Sequence, residues 1–284
     1  MPGTLPPCRP SRSIAWIGPV GDPELDLARR WAAEQAGVVE FATVASALTA
    51  AVARPPLIVL ACDRGDRFGL ADAVALSRRW PLATIVGVAT SLVEGRRRSG
   101  PPLPGIEELP WHDLPARLTC WLRGLDAGIP GTLGPPVPLR REDRVLAAAR
   151  SVARLRRPGP AVAVAAARAD ELDALVALVT AAGRQTPLRT LGRPALDAPA
   201  DVVVWDLEAP GPADIGWLRL LTANAPDRRV ILLVSFPRSD VVAELVTAGA
   251  AAVLGRPASL EALLGALELA AGARTGLCHP APDR

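Results

Sequence analysis

The sequence predicts an α/β protein with two doubly wound parallel-sheet domains in tandem, and three observations support this prediction. Short apolar runs alternate with longer segments of helical spacing along most of the chain. The loops between these segments are short, which favours parallel strands joined by helices that cover both faces of a sheet. The order of segments then recurs, since residues 24–26 (ELD) reappear at residues 171–173. We therefore expect two copies of one domain.

The predicted strands are short, apolar and bounded by Gly, Pro or charged residues, as buried parallel strands are. They are Ser13–Gly18, Val38–Thr43, Leu57–Cys62, Thr84–Ala89, Ala161–Ala166, Pro187–Thr190, Val202–Asp206, Val230–Phe236 and Ala251–Leu254. The predicted helices have apolar residues at three- and four-residue spacing. They are Asp22–Ala36, Val44–Ala53, Leu70–Trp80, Arg141–Arg157, Asp170–Ala182, Gly216–Asn224, Ser239–Ala248 and Ser259–Ala271.

The amino-acid composition excludes several classes of enzyme. Half of the 284 residues are hydrophobic, and all 32 basic residues are arginine. Without lysine the chain cannot form a Schiff base, which excludes pyridoxal-phosphate enzymes and lysine-dependent aldolases. A Walker-A loop or a protein-kinase site would also lack its lysine. The four cysteines form no CxxC pair, so neither a zinc site nor a disulfide framework is predicted, and Cys62 and Cys120 are expected in the core.

The apolar runs and the linkers predict the location of the protein and the limits of its domains. No run approaches the ~18 apolar residues that span a bilayer, and the N-terminus has no apolar signal region, so we expect a cytoplasmic protein. The predicted divisions are a disordered tail over residues 1–12, a first domain over 13–127, a Pro-rich linker and Arg-rich helix over 128–159, a second domain over 160–272 and a tail over 273–284.

The Arg-rich helix carries the basic excess of the chain, with seven arginines against two acids in residues 128–160. Its predicted apolar face is formed by Val145, Ala148, Ala149 and Val152. The arginines that lie elsewhere on the helix form a candidate partner surface, and they are Arg144, Arg150, Arg154 and Arg157. Packing of the apolar face on a domain is the favoured interpretation, and partner binding remains open. Such a local excess is not a general nucleic-acid-binding composition.

Residues 201–257 carry a pattern of strand ends that resembles a response-regulator receiver domain. Asp206 ends the third strand of this copy and Ser235 ends the fourth, and an AGA segment at residues 248–250 leads to a fifth strand that ends in Arg256-Pro257. In receivers these positions hold the phospho-accepting Asp, a Ser or Thr that contacts the phosphoryl group, and a Lys. The resemblance implies two flavodoxin-like domains, each with a five-stranded parallel sheet.

The second copy departs from the receiver pattern at two places. Receivers hold Mg²⁺ with an acidic pair at the end of the first strand, where this chain has alanines, and Asp170 and Glu171 beyond them look like the first turn of a helix. Arg256 replaces the Lys, and a planar guanidinium is no simple substitute for a compact ammonium. We expect Asp206 to pair with Arg256 or Arg168, or to be solvated.

The first copy departs further. Ala61 stands at the acceptor position, Thr90 retains the Ser/Thr position, and the ELPW run offers only Pro110 at the Lys position. Asp22 could mimic one metal-binding acid, but Asp22-Pro23 more simply caps the helix that follows.

These features predict a non-catalytic tandem pseudo-receiver that acts as a phosphorylation-independent protein-interaction module, with no cofactor and no metal. The expected partner is a signalling protein or a second copy, and neither nucleic acid nor a membrane. Receivers commonly pair through the face made by the fourth helix and the fifth strand, so the resemblance implies pairing of the copies with each other or in a homodimer. Two alternatives stay open, namely an atypical response regulator that is phosphorylated at Asp206, and a flavodoxin-like protein that binds a small ligand or acts as an enzyme beyond its strand ends.

Overall fold

A computed structural model describes residues 13–51, 54–96, 105–129, 133 and 141–272. The predicted tails over residues 1–12 and 273–284 lie outside the described residues, as does most of the Pro-rich linker.

The first sheet has five parallel strands in the order β2-β1-β3-β4-β5. The strands are β1 (Ser13–Ile17), β2 (Gly37–Phe41), β3 (Leu57–Cys62), β4 (Thr84–Ala89) and β5 (Glu107–Pro110). The helices are α1 (Pro23–Gln35), α2 (Val44–Thr49), α3 (Leu70–Arg79), α4 (Ser91–Arg96) and α5 (Leu114–Asp126), with a 3-10 turn over Trp111–Asp113 before α5.

The second sheet repeats this topology, with five parallel strands in the order β10-β9-β8-β6-β7. The strands are β6 (Val162–Ala166), β7 (Leu188–Leu191), β8 (Val202–Leu207), β9 (Arg229–Val234) and β10 (Ala250–Gly255). The helices are α7 (Ala169–Ala181), α8 (Pro212–Asn224), α9 (Ser239–Thr247) and α10 (Leu260–Gly272), and α6 (Arg141–Leu155) precedes them. Both sheets therefore have the flavodoxin-like order, and the predicted tandem α/β fold is confirmed.

Several elements differ from the sequence prediction, among them α8, which begins at Pro212 and not at Gly216. Strand β5 and helix α4 were not predicted, because EELP is short and charged and α4 spans only six residues. Helix α2 ends at Thr49 and not at Ala53, since Ala50 is extended, and Pro55 and Pro56 follow a few residues later.

The central strands form the cores of both domains. Every residue of β3 and of β8 is buried, and Trp16 and Trp205 fill the two interiors. Cys62 and Cys120 are free, buried thiols, as predicted. Burial raises the pKa of the Cys62 thiol to about 12 and that of Cys120 to about 11, so both remain protonated and inert. None of the described helices is long and apolar enough to cross a membrane.

The two domains pack directly on each other. Helix α10 lies along α5, strand β10 lies against the 3-10 turn, and α9 contacts α1. The helices approach so closely that a Cβ on Gly265 would lie 1.8 Å from the carbonyl oxygen of Ala116. The main contact is thus between the fifth helices α5 and α10, and the expected face of fourth helix and fifth strand takes part on the second domain only, where α9 and β10 meet α1 and the 3-10 turn.

Helix α6 packs against this junction through only the C-terminal part of the predicted apolar face. Val152 and Leu155 are buried against Cys120 of α5 and Leu264 of α10. Val145, which we placed on the apolar face, is 62% exposed, so that part of the prediction is wrong. The second half of α6 packs against hydrophobic residues of both domains, whereas its first half extends beyond them.

Candidate functional site

Strand register puts Asp206 and Ala61 at the same place in the two domains. Asp206 of β8 lies beside Leu233 of β9, and Ala61 of β3 lies beside Val88 of β4. Each residue is the last but one of the third strand of its sheet. The carboxyl ends of parallel strands meet at one edge of a sheet, so each domain has one strand-end site to compare.

Arg256 is the centre of the strand-end site in the second domain. Its Nε lies 2.9 Å from Oδ1 of Asp206, and its Nη2 donates to Oε1 of Glu171 at 2.7 Å. The N–H at Nε is not aimed at Asp206, whose Oδ1 accepts no hydrogen bond from any described residue, so this contact is an ion pair. The predicted pairing of Asp206 with Arg256 is confirmed, and Arg168 instead pairs with Asp170.

Burial disfavours ionisation of the Asp206 carboxyl, because only 8% of the residue is exposed. Burial raises the pKa of Asp206, Arg256 lowers it, and the carboxylates of Glu171 and Glu208 raise it, with a net pKa of about 6. One guanidinium therefore faces an excess of negative charge at this strand end.

The residues at this site do not fit a divalent cation. Ala166 and Ala167 stand where receivers place their acidic pair, and Ala166 is fully buried. Asp206 and Glu171 are already paired with Arg256. No group of three His, Cys, Asp or Glu side chains within the described ranges could hold a metal ion. A cluster of carboxylates for Mg²⁺ is thus not assembled among the described residues.

Ser235 follows β9 at the same edge of the sheet. Its N–H donates to the carbonyl of Glu208 at 3.1 Å, and the N–H of Arg256 donates to the carbonyl of Val234 at 3.1 Å. The next residue, Phe236, is 64% exposed and has a φ of 49°, which is rare for a bulky side chain. The fold therefore brings the predicted residues Asp206, Ser235 and Arg256 to one edge.

The same edge of the first domain is apolar and tightly packed. Ala61 is fully buried, and a Cβ on Gly18 would lie 2.6 Å from the Cβ of Ala61. Thr90 is 3% exposed, and its hydroxyl makes no hydrogen bond to any described residue. Asp63, two residues after Ala61, pairs with Arg67 and not with the strand end. The acceptor position of this domain is therefore a buried alanine side chain.

Trp111, and not Pro110, occupies the position of Arg256 in the first domain. Pro110 lies beside Ala89 in the first sheet, whereas Gly255 lies beside Val234 in the second. The residues that follow are therefore equivalent, and our placement of Pro110 was wrong by one residue because β5 was not predicted. Trp111 is fully buried, stacks on Trp31 at a centroid distance of 6.2 Å, and donates from Nε1 to Oγ of Ser91 at 3.2 Å.

Acids near this edge of the first domain cap helices. Asp22 accepts hydrogen bonds from the N–H groups of Glu24 and Leu25 at 3.0 and 3.1 Å, which confirms its predicted role as an N-cap. Glu24 in turn accepts from the N–H and the hydroxyl of Ser91 at 2.6 and 2.7 Å, at the start of α4. Both carboxylates therefore stabilise the starts of helices.

His112 joins the two domains next to the Arg256 site. Its ring packs on Gly255, where an added Cβ would lie 2.5 Å from Cε1, and Asp113 accepts both from Nδ1 of His112 at 3.1 Å and from the N–H of Gly255 at 3.2 Å. Burial lowers the pKa of His112, but Asp113 and Glu94 raise it to about 9. A charged imidazolium therefore lies at the domain junction at neutral pH.

The candidate partner surface on α6 is exposed to solvent. Arg150, Arg154 and Arg157 are all exposed, and none of them has a carboxylate partner within the described part of the chain. The side chain of Arg144 lies outside the described residues. This surface is separate from the strand-end sites, since it belongs to the helix that precedes the second domain.

Comparison with known proteins gives structural relatives only. No family model and no curated protein matches the chain. A putative pilus assembly-related protein from Burkholderia pseudomallei is 30% identical, with 39% of this chain and 88% of that chain covered and a TM-score of 0.37. A receiver domain of a Francisella response regulator is 23% identical, with 42% and 100% covered and a TM-score of 0.36.

A probable two-component system response regulator/GGDEF domain protein is 14% identical, with 94% of this chain and 100% of that chain covered and a TM-score of 0.36. The topology of the chain itself is more informative than these scores. Two parallel sheets share one strand order, and the second has an Asp, a Ser and a basic residue at three strand ends. The strand order of the two sheets therefore shows the fold, which is two flavodoxin-like α/β domains in tandem, as the resemblance to receivers implied.

Proposed function

We propose that this chain is a non-catalytic tandem pseudo-receiver, a phosphorylation-independent protein-interaction module in signal transduction or regulation. The observation that carries the proposal is the position of Arg256. Its guanidinium lies 2.9 Å from Asp206 and 2.7 Å from Glu171, so a fixed side chain supplies the positive charge at the strand end. The cation that faces these two carboxylates is therefore part of the protein itself, and the pair does not depend on a bound metal ion for a positive partner.

The same arrangement argues against phosphorylation of Asp206. Transfer of a phosphoryl group to a carboxylate adds negative charge, which a bound cation normally neutralises. Ala166 and Ala167 supply no ligand for such a cation, and Asp206 is 8% exposed. Arg256 is a planar fork that already binds Glu171, and so it is poorly placed to follow a phosphoryl group.

The packing of the domains supports an interaction role. The face of α9, β10 and α10 is covered by the first domain, so a partner would have to use other surfaces of the chain. The exposed arginines of α6 offer one such surface. In the first domain, Gly18 and Trp111 fill the strand-end site, which argues against a small ligand or substrate there.

Incubation with acetyl phosphate and Mg²⁺, followed by intact-mass measurement, tests the proposal. We expect no phosphoryl adduct, while an active receiver domain treated in parallel acquires one. Asp206→Ala is the site variant, and Asp227→Ala, which changes an exposed acid on the same domain, is its matched control. A stable adduct of about 80 Da that survives in Asp227→Ala and is lost in Asp206→Ala would overturn the pseudo-receiver assignment.

A further inference from the structure

Large apolar side chains are exposed where the two domains meet at the carboxyl ends of their strands. Leu92 at the start of α4 is 79% exposed, and Phe236 after β9 is 64% exposed. They belong to different domains, but the residues beside them touch, since Oγ of Ser91 lies 3.4 Å from the carbonyl oxygen of Pro237. Both apolar side chains therefore flank one contact between the domains.

A third loop reaches the same contact. Val20, between β1 and α1, is 71% exposed, and a few residues later Glu24 accepts hydrogen bonds from the N–H and the hydroxyl of Ser91 at 2.6 and 2.7 Å. We call Val20, Leu92 and Phe236 the junction patch. Exposed apolar clusters of this kind mark interaction sites, and this one exists only while the two domains are packed together.

Phe236 adopts a backbone conformation that is unfavourable for its side chain. Its φ of 49° lies in the left-handed region, where the Cβ of a bulky residue crowds the following carbonyl oxygen. Glycine would adopt this turn without that cost. Strain of this kind is concentrated at sites that bind ligands or partners, so an aromatic ring displayed on such a turn supports a binding role for the patch.

The charge around the junction patch is negative. Every arginine in the described loops at the carboxyl ends of the strands pairs with a carboxylate of its own domain. These arginines are Arg64, Arg67, Arg168, Arg193, Arg238 and Arg256. Carboxylates in excess of these pairs remain beside each apolar residue of the patch, and they are Asp22, Glu94 and Glu208.

Two of these carboxylates are open to solvent. Glu208 is exposed and makes no ion pair within the described part of the chain, and its carbonyl accepts from the N–H of Ser235 at 3.1 Å, beside the aromatic residue of the patch. The side chain of Glu94 is 30% exposed and shares the buried His112 with Asp113, so two carboxylates face one imidazolium. The patch is therefore apolar with an acidic rim.

We propose that the junction patch binds a basic amphipathic helix of a partner protein. The apolar face of such a helix covers Leu92 and Phe236, and its lysines or arginines face Glu94 and Glu208. The acidic rim disfavours nucleic acid and anionic lipid, whose phosphates would be repelled. A two-fold contact between the patches of two copies would likewise set acid against acid. The inference rests on the proposed interaction role and names the class of partner.

Fluorescence anisotropy with the full chain tests the proposal, and the probe is a labelled amphipathic peptide of leucine and arginine about four helical turns long. A matched acidic peptide has glutamate in place of every arginine. We expect the basic peptide to bind at least tenfold more tightly than the acidic one, and Glu208→Arg to weaken its binding. Leu92→Ser and Phe236→Ser should each weaken it at least tenfold, because each removes part of the apolar surface.

Two further variants separate binding at the patch from other effects. Leu82 is 90% exposed but precedes β4, at the opposite edge of the first sheet, so Leu82→Ser is the matched control and should bind the peptide like the wild type. Phe236→Gly should bind the peptide at least tenfold more weakly and yet unfold at the same or a higher temperature, because glycine relieves the left-handed backbone.

Equal affinity for the two peptides, or no binding of either, would overturn the proposal, as would a loss of affinity in Leu82→Ser as large as that in Leu92→Ser. Self-association in sedimentation velocity, or binding of duplex DNA or anionic vesicles, that Phe236→Ser abolishes would also overturn it, since another class of partner would then cover the patch. The phosphoryl-adduct assay depends on Asp206 and not on this patch. An adduct with intact peptide binding would remove only the pseudo-receiver assignment, and the absence of both would remove only this inference.

Discussion

At the end of the third strand, the first domain has Ala61 packed beneath Gly18, whereas the second domain has Asp206 paired with Arg256. The neighbouring positions differ in the same sense, since Trp111 in the first domain stands where Arg256 stands in the second. One site is closed by apolar packing and the other by an internal ion pair. The same fold can thus have uncharged side chains at this strand end, as in the first domain, or a carboxylate beside a guanidinium, as in the second.

The largest loss of stability is expected when the carboxylate of the second domain is introduced at the equivalent position of the first. Ala61→Asp places a carboxylate at a fully buried position, so we expect it to lower the free energy of unfolding by about 3 kcal/mol or more at pH 7. Urea unfolding measures the loss. The neutral variant Ala61→Asn has a similar volume and should cost less, and an equal cost for both variants would show that packing and not charge sets the penalty.

A second substitution removes the positive charge from the strand end of the second domain. Arg256→Met leaves Asp206 and Glu171 facing each other without a counter-charge, and we expect a loss of about 2 to 3 kcal/mol. Because 20% of the Arg256 side chain is exposed, solvent relieves part of the cost. The double variant Arg256→Met/Asp206→Asn should recover much of the loss in chemical denaturation, and strict additivity of the two substitutions would contradict the coupling of these side chains.

The charge of Asp206 alone gives a smaller, pH-dependent effect. Its folded-state pKa is raised from 3.8 to about 6, so its contribution to stability is greatest below pH 3.8 and is lost as the pH rises through about 6. Asp206→Asn lacks this loss. We expect the variant to be more stable than the wild type by about 1.5 kcal/mol at pH 7, with little difference at pH 4. Thermal unfolding across this range would contradict the account if the gap widened toward low pH.

The smallest expected change in stability is at the Ser/Thr position, which is Thr90 in the first domain and Ser235 in the second. The buried hydroxyl of Thr90 makes no hydrogen bond to any described residue, so Thr90→Val should stabilise the protein by about 0.5 to 1 kcal/mol. Ser235→Ala, at the partly exposed equivalent, should change the unfolding free energy by less than about 0.5 kcal/mol. Destabilisation by Thr90→Val in urea unfolding would mean that the Thr90 hydroxyl has a partner.

Most of the fold could be predicted because buried parallel strands are nearly continuous apolar runs. Leu57–Cys62 and Thr84–Ala89 were predicted with their observed limits for this reason. Strand β5 was missed because EELP places two charges and a proline at a sheet edge, which gives no apolar signal. That omission in turn shifted the register by one residue and hid the role of Trp111.

The candidate site could be predicted only in part. Strand-end positions follow from topology, so Asp206, Ser235 and Arg256 were identified from the order of the strands. Glu171 was interpreted as a helix first turn, which is correct, but its bond to Arg256 joins residues 85 positions apart and has no local signature. The packing of Gly265 on Ala116 depends likewise on how two finished domains meet.

The central claim is that Arg256 takes the place of a cation beside Asp206, and a Mg²⁺ titration followed by backbone amide NMR tests it most directly. The account predicts no saturable shifts at Ala166, Asp206 or Arg256 in the wild type at millimolar Mg²⁺. Saturable shifts at these amides that disappear in Asp206→Asn would show that the strand end binds the metal despite the guanidinium, and would contradict the account.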